Sequence, residues 1–201
     1  MATFYKGNTP IPATPNVGGA AVERTMLGAN ALINGFEVGQ DLGYGIVYKS
    51  FGGGSAMVVA KYDYNRDQVA NNLYAWVNTS GCGVDALSSN GFENMVTLYN
   101  ASTGGCSFEV GSDIYDDLYI TGSLYSGSSG WYPPSENELQ EVYDSEVIKY
   151  THTSGDGGYY FSSTSATNNA KGRMLSFQTG TWADSGNPGA DEARIRLVKR
   201  I

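Results

Sequence analysis

Residues 130 to 143 read Gly-Trp-Tyr-Pro-Pro-Ser-Glu-Asn-Glu-Leu-Gln-Glu-Val-Tyr, and this stretch carries the clearest structural signal in the chain. Ser135 and Glu138 stand three residues apart, the spacing of a capping box, in which a hydroxyl and a carboxylate accept hydrogen bonds from backbone N–H groups at a helix start. Pro133 and Pro134 hold the approach to that start extended. The stretch therefore predicts a helix that begins just after Ser135.

The residues after this cap predict one buried helix face. Apolar side chains recur at helical spacings, at Leu139, Val142, Tyr143 and Val147. We expect Leu139, together with Trp131 just before the cap, to lie in the core. A capped helix with an aromatic anchor is a structural feature and by itself indicates no function.

Length and charge limit the classes of protein that fit. A chain of 201 residues is long enough for a single domain that buries about 70% of its unfolded surface. The formal net charge is −8, and between Arg66 and Lys149 there are 12 Asp and Glu residues but no Lys or Arg. This distribution argues against nucleic-acid binding, because phosphate recognition needs basic residues.

The first 40 residues are expected to form an extended arm for attachment or oligomerisation, ahead of a globular domain over residues 41 to 201. Three of the six prolines lie in the first 21 residues, with few large apolar residues between them. The N-terminal residues lack the basic start and apolar core of a secretory signal peptide, and no apolar run is long enough to span a membrane. We therefore expect neither signal-directed export nor membrane insertion.

The two cysteines leave two alternatives open. Cys82 and Cys106 would pair in a protein that ends up outside a cell, and they would be buried thiols in one that does not.

The segment after residue 45 predicts a β-hairpin followed by a long loop. A β-prone run at residues 46–48 is separated from residues 57–60 by the turn Phe51-Gly-Gly-Gly-Ser55. Residues 61 to 91 are polar and rich in glycine, with Trp76 and Val77 folded back onto the core. A short helix is then predicted from a set of apolar residues at spacings of three and four: Phe92, Met95, Val96 and Tyr99.

Asp113, Asp116 and Asp117 form an acidic group beyond that helix. A calcium site and a solvated acidic face are both compatible with such a group, but the spacing of a calcium-binding loop is absent. We expect no metal or cofactor.

The last third of the chain predicts several strands. Residues 159–163 and 174–178 are two of them, and residues 193–200 close the chain. In that closing strand, Arg194 and Arg196 would lie on the face opposite Ile195 and Leu197. We expect this basic face to meet carboxylates from the acidic middle of the sequence.

Taken together, these pieces resemble the Lcl-type C-terminal domain of collagen-like bacterial adhesins, a branch of the C-type-lectin-like fold. The resemblance covers about residues 41 to 200 and depends on the order of several motifs. They are Gly45-Ile-Val-Tyr, Val58-Val-Ala, Glu93-Asn, Asp116-Asp-Leu, Gly130-Trp-Tyr-x-Pro-Ser-x-x-Glu-Leu, Tyr160-Phe-Ser-Ser-Thr and Arg194-Ile-Arg-Leu-Val-Lys. It implies an α+β fold, with two short helices packed on twisted antiparallel sheets and many loops.

The sequence departs from that family at several positions. Pro133 stands where the family has Leu, Phe161 where it has Trp, and residues 119 to 129 lengthen the approach to Trp131. The triplets of calcium-dependent sugar lectins are missing, and Trp182-Ala-Asp184 is only a partial match, so calcium-dependent sugar binding does not carry over. The reactive cysteine pair of the related formylglycine-generating enzymes is missing as well.

The sequence favours a binding protein over an enzyme. The lone histidine, His152, lies in a loop, and no nucleophile elbow or metal-ligand motif is present. A hydrolase that uses a carboxylate pair stays an alternative. Loops rich in Tyr, Ser, Gly and Asn are typical of recognition surfaces.

We expect a phage fibre or decoration protein on the virion surface, which binds a host-surface glycan or protein. Its arm would contact other virion proteins and build a homo-oligomer. The alternatives are a structural capsid or tail component without a ligand, and a bacterial surface adhesin.

The ligand surface is expected on the loops between the late strands, where lectin-like folds contact their partners. Trp182 would supply an aromatic surface, and the polar groups would come from Asn168, Asn169, Asp184 and Asn187. In the alternative, Trp182 packs beneath its own hairpin and the asparagines shape turns.

Overall fold

The computed structural model describes residues 5–6, 9–10, 35–64, 73–77, 82–102, 105–121, 130–148, 158–166, 171–185 and 192–201. The chain divides into two compact units, residues 1–35 and residues 36–201. In the first unit, strands β1 (Tyr5–Lys6) and β2 (Thr9–Pro10) pair antiparallel. Residues 11–34, most of the expected arm, lie outside the described part of the chain.

The second unit combines helices with small antiparallel sheets, so the fold class is α+β. Its strands are β3 (Gly45–Gly52), β4 (Ser55–Ala60), β5 (Tyr74–Ala75), β6 (Tyr159–Ser165), β7 (Gly172–Ser176), β8 (Trp182–Asp184), β9 (Glu192–Ala193) and β10 (Val198–Arg200). Its helices are α1 (Gly91–Ala101), α2 (Glu136–Asp144) and the π-helical segments Glu109–Asp113 and Asp116–Thr121.

The described strands of this unit form two three-stranded sheets and one strand pair. The orders are β10-β4-β3 and β6-β7-β8, and β5 pairs with β9. The β3–β4 hairpin was predicted, and its turn is made by three glycines with positive φ, Gly52, Gly53 and Gly54. A residue with a Cβ would be strained at each of these positions, which explains the run of glycines.

The capping box predicted at residues 135–138 is present at the start of α2. The Ser135 hydroxyl accepts a hydrogen bond from the Glu138 backbone N–H at 3.2 Å, and Glu138 Oε2 accepts one from the Ser135 backbone N–H at 2.9 Å. Leu139 and Val142 are fully buried, and Trp131 is only 4% exposed. The helix ends at Asp144, so Val147 lies beyond it.

Helix α1 forms where it was predicted, but its buried face is different. Met95 is buried as expected, whereas Phe92 is 38% exposed and the buried positions include Asn94 and Leu98. Asn94 is accommodated because its side-chain amide donates a hydrogen bond to the Ser88 carbonyl oxygen at 2.9 Å and its Oδ1 accepts one from the Ser88 backbone N–H at 2.8 Å. The polar residue therefore fixes the preceding loop against the helix.

The prediction of a single closing strand over residues 193–200 is wrong. β9 pairs with β5, residues 195–197 leave that pairing, and β10 joins β4 in another sheet. Both faces of the segment are buried, including Arg194 and Arg196. Their shared carboxylate partner is Asp63, which precedes the acidic middle of the sequence.

A disulfide bond links Cys82 and Cys106, with 24 residues of sequence separation. It ties the loop before α1 to the segment that leads into the first π-helical segment. Trp76 and Val77, in the same long loop region, lie in the core as predicted.

Candidate ligand-binding site

Two neighbouring strands and helix α2 bring a group of polar side chains around Trp182. We call Trp182, Arg173, Asp184, Glu136 and Gln140 the Trp182 platform. In the antiparallel register of β7 and β8, Arg173 lies opposite Asp184, and Leu175 lies opposite Trp182. Directly opposed residues have their side chains on the same face of the sheet, so the register itself creates the Arg173–Asp184 contact.

The indole ring is held by contacts on two sides. Its Nε1–H donates a hydrogen bond of 2.8 Å to Gln140 Oε1 in α2. The Arg173 guanidinium carbon lies 5.3 Å from the ring centroid, within the range of a cation–π contact. Trp182 is therefore half-buried and fixed in orientation, as a rigid recognition surface requires.

Arg173 joins the two ends of the platform. One guanidinium nitrogen lies 2.6 Å from Asp184 Oδ1, and the other lies 3.1 Å from Glu136 Oε1. Burial acts to lower the pKa of Arg173, but the hydrogen bonds that its guanidinium donates to Asp184 and Glu136 outweigh that effect, and the pKa is raised. The platform thus holds one cation between two carboxylates.

Of the predicted ligand residues, the structure brings together Trp182 and Asp184. Asn168, Asn169 and Asn187 lie outside the described residues, as does His152. Arg173, Glu136 and Gln140 were not singled out from the sequence. Arg173 was missed because the strand that became β7 was predicted to begin one residue later, at Met174, and its pairing with Asp184 is seen only in the structure.

The acidic residues at positions 113–117 do not share one set of contacts. Asp117 is buried and accepts a hydrogen bond of 2.6 Å from the Tyr64 hydroxyl, while Asp113 accepts one of 3.3 Å from the Ser107 hydroxyl. Within the described ranges, no three His, Cys, Asp or Glu side chains are gathered in a way that could hold a metal ion.

The chain matches no known protein family, and no curated protein is significantly similar to it in sequence. In the part of the chain that the structure describes, no helix is both long enough and apolar enough to span a membrane.

Proposed function

We propose that the protein is a non-enzymatic virion surface protein, a phage fibre or a capsid or tail decoration protein, that binds a host-surface glycan or protein. The observation that carries this proposal is the Trp182 platform. A fixed aromatic ring beside oriented donors and acceptors is the chemistry that recognises hydroxyl-rich ligands.

The platform offers complementary groups to a sugar. Trp182 gives apolar ring surface for stacking, and the exposed Asp184 carboxylate accepts hydrogen bonds from hydroxyl groups. Arg173 retains donors beyond those used by its two carboxylate partners, since a guanidinium carries five N–H groups. A neutral glycan fits better than an acidic one, because the three charged groups of the platform sum to one negative charge.

The disulfide supports a destination outside the reducing cytosol, since such bonds persist in oxidising surroundings. As part of the same proposal, the larger unit is C-type-lectin-like, and the N-terminal region contacts other virion proteins and builds a homo-oligomer.

A second candidate function is a structural virion component with no ligand. The observation that favours it is that the platform groups bind one another. The Trp182 N–H is used by Gln140, and Arg173 is shared by Asp184 and Glu136. Such a network also serves to hold α2 against the β7–β8 edge.

Binding of the labelled full chain to a glycan array and to intact bacteria distinguishes the ligand-binding proposal from the structural alternative. We compare the wild type with Trp182→Ala combined with Asp184→Asn, and use Tyr62→Ala as the matched control because Tyr62 is an aromatic residue that is 78% exposed. Circular dichroism must show that all three are folded. The ligand-binding proposal predicts loss of binding in the double variant alone.

Equal binding by the folded double variant would exclude the platform as the contact surface. Wild-type protein that bound neither glycans nor cells would support the structural alternative.

A further inference from the structure

A second surface, separate from the Trp182 platform, is built from stacked aromatic rings. Tyr99 in α1 stacks on Tyr115, with ring centroids 4.2 Å apart and planes inclined by 30°. Tyr115 stacks in turn on Tyr119 at 5.1 Å, and Phe92 meets Tyr119 edge-on at 6.0 Å. We call these four residues the tyrosine ladder.

The ladder is open to solvent along one side. Phe92 is 38% exposed, and the three tyrosines are half-buried. The Tyr119 hydroxyl donates a hydrogen bond of 3.0 Å to the Trp131 carbonyl oxygen, which fixes the ladder to the core. The hydroxyls of Tyr99 and Tyr115 have no hydrogen-bond partner among the described residues.

Two acidic residues are sequence neighbours of the ladder residues. Glu93 follows Phe92 in α1, and Asp116 follows Tyr115. Neither is ion-paired with a Lys or Arg within the described ranges, and the sequence has no basic residue at all between Arg66 and Lys149. The Glu93 carboxylate accepts a hydrogen bond of 2.6 Å from the Ser88 hydroxyl, which leaves its charge in place.

We propose that the tyrosine ladder, with Glu93 and Asp116, is a docking surface for a Lys- and Arg-rich segment of a partner protein. Charge complementarity favours a cationic occupant, because Glu93 and Asp116 are both acidic and neither is ion-paired within the described ranges. The aromatic rings add cation–π contacts, which favour the planar guanidinium of Arg over the ammonium of Lys.

Fluorescence anisotropy with labelled octa-arginine, octa-lysine and octa-glutamate tests this surface on the full chain. We expect saturable binding of both basic peptides, tighter for octa-arginine, and none of octa-glutamate. Binding should weaken steeply when salt is raised from about 20 mM to about 200 mM, because the pairs are exposed to solvent.

Variants assign the binding to the ladder. Glu93→Gln combined with Asp116→Asn should weaken octa-arginine binding by about tenfold, the combined effect of two surface ion pairs. The matched control is Glu146→Gln, which removes an exposed carboxylate beyond the end of α2 and should change binding by less than about twofold. Tyr99→Leu should remove the preference for octa-arginine over octa-lysine.

The proposal is overturned if the wild type does not bind the basic peptides at low salt, or if the folded double variant binds them as the control does. Light scattering adds one further outcome. Salt-sensitive self-association that is lost in the double variant would make a second copy of this chain the occupant, and would overturn the assignment to a separate partner protein.

Discussion

Glu138 in α2 accepts a hydrogen bond of 2.9 Å from the backbone N–H of Gly91, the first residue of α1. The same carboxylate closes the capping box of α2 and accepts a 2.9 Å hydrogen bond from the Tyr132 hydroxyl. Gly91 allows this approach because a Cβ there would lie 2.2 Å from the Pro133 carbonyl oxygen. One side chain therefore joins the starts of both α-helices.

Replacing Glu138 with Ala should lower the free energy of unfolding by about 2–3 kcal/mol, because two backbone N–H groups and a largely buried hydroxyl lose their acceptor. Urea denaturation measures the change. Asn137→Ala, in the same turn but exposed, is the control and should be nearly neutral. Equal stability of the two variants would contradict the joint role of Glu138.

Reduction of the Cys82–Cys106 bond should lower the free energy of unfolding by about 3 kcal/mol, the loop-closure effect for a separation of 24 residues. Urea denaturation with and without reductant tests this. The double variant Cys82→Ala with Cys106→Ala should be insensitive to reductant. Finding two free thiols in the unfolded, unreduced wild type would show that the bond is absent.

Asp63→Asn should destabilise the protein by about 3 kcal/mol or more, because Arg194 and Arg196 are both buried and would lose the carboxylate that they share. Thermal denaturation provides the measurement. Asp41→Asn is the matched control, since the Asp41 side chain in its ion pair with Lys61 is 56% exposed and pairs open to solvent contribute little. A similar melting temperature for both variants would contradict a structural role for the Asp63 cluster.

Tyr48→Phe should leave stability at neutral pH unchanged or raise it by about 1 kcal/mol. The Tyr48 hydroxyl is buried and has no hydrogen-bond partner in the described part of the chain, so its removal loses no hydrogen bond there. Equilibrium denaturation at pH 7 would contradict this expectation if the variant were clearly less stable.

The stability of Tyr48→Phe should also depend differently on alkaline pH from that of the wild type. Burial, and then the negative charge of Glu138, raises the pKa of Tyr48 above its ordinary value. A group with a raised pKa in the folded state stabilises below its unfolded pKa, about 10 for tyrosine, and that stabilisation is lost as pH rises above it. Above about pH 10, the wild type should therefore lose stability more steeply than Tyr48→Phe.

The features that were predictable from sequence depend on residues close together in the chain. The capping box needs Ser135 and Glu138 three residues apart, and the hairpin turn needs residues that tolerate positive φ at positions 52–54. The helix at residues 91–101 follows from apolar spacing, although the spacing misplaced its buried face, since Asn94 faces inward. Such patterns involve residues within one or two helical turns of each other, so the amino-acid sequence is enough to predict these elements.

The candidate site was only partly predictable. Trp182 and Asp184 were expected to act together, but Gln140 reaches the indole from another element, 42 residues away in sequence. Nothing local to Gln140 distinguishes it from other polar helix residues, because its hydrogen bond to the indole forms only when α2 packs beside β8.

By itself, the sequence determined the capped helix, the glycine-rich hairpin, the acidic middle and the mixed α+β character. The tertiary structure alone decided that Glu138 reaches Gly91, that Cys82 pairs with Cys106, and that Arg194 is buried against Asp63, 131 residues away. The physical reason is that burial of a charge depends on which distant segments close over it. Alternating residues specify two strand faces, but whether the second face meets water or protein is set by the packing of the whole unit.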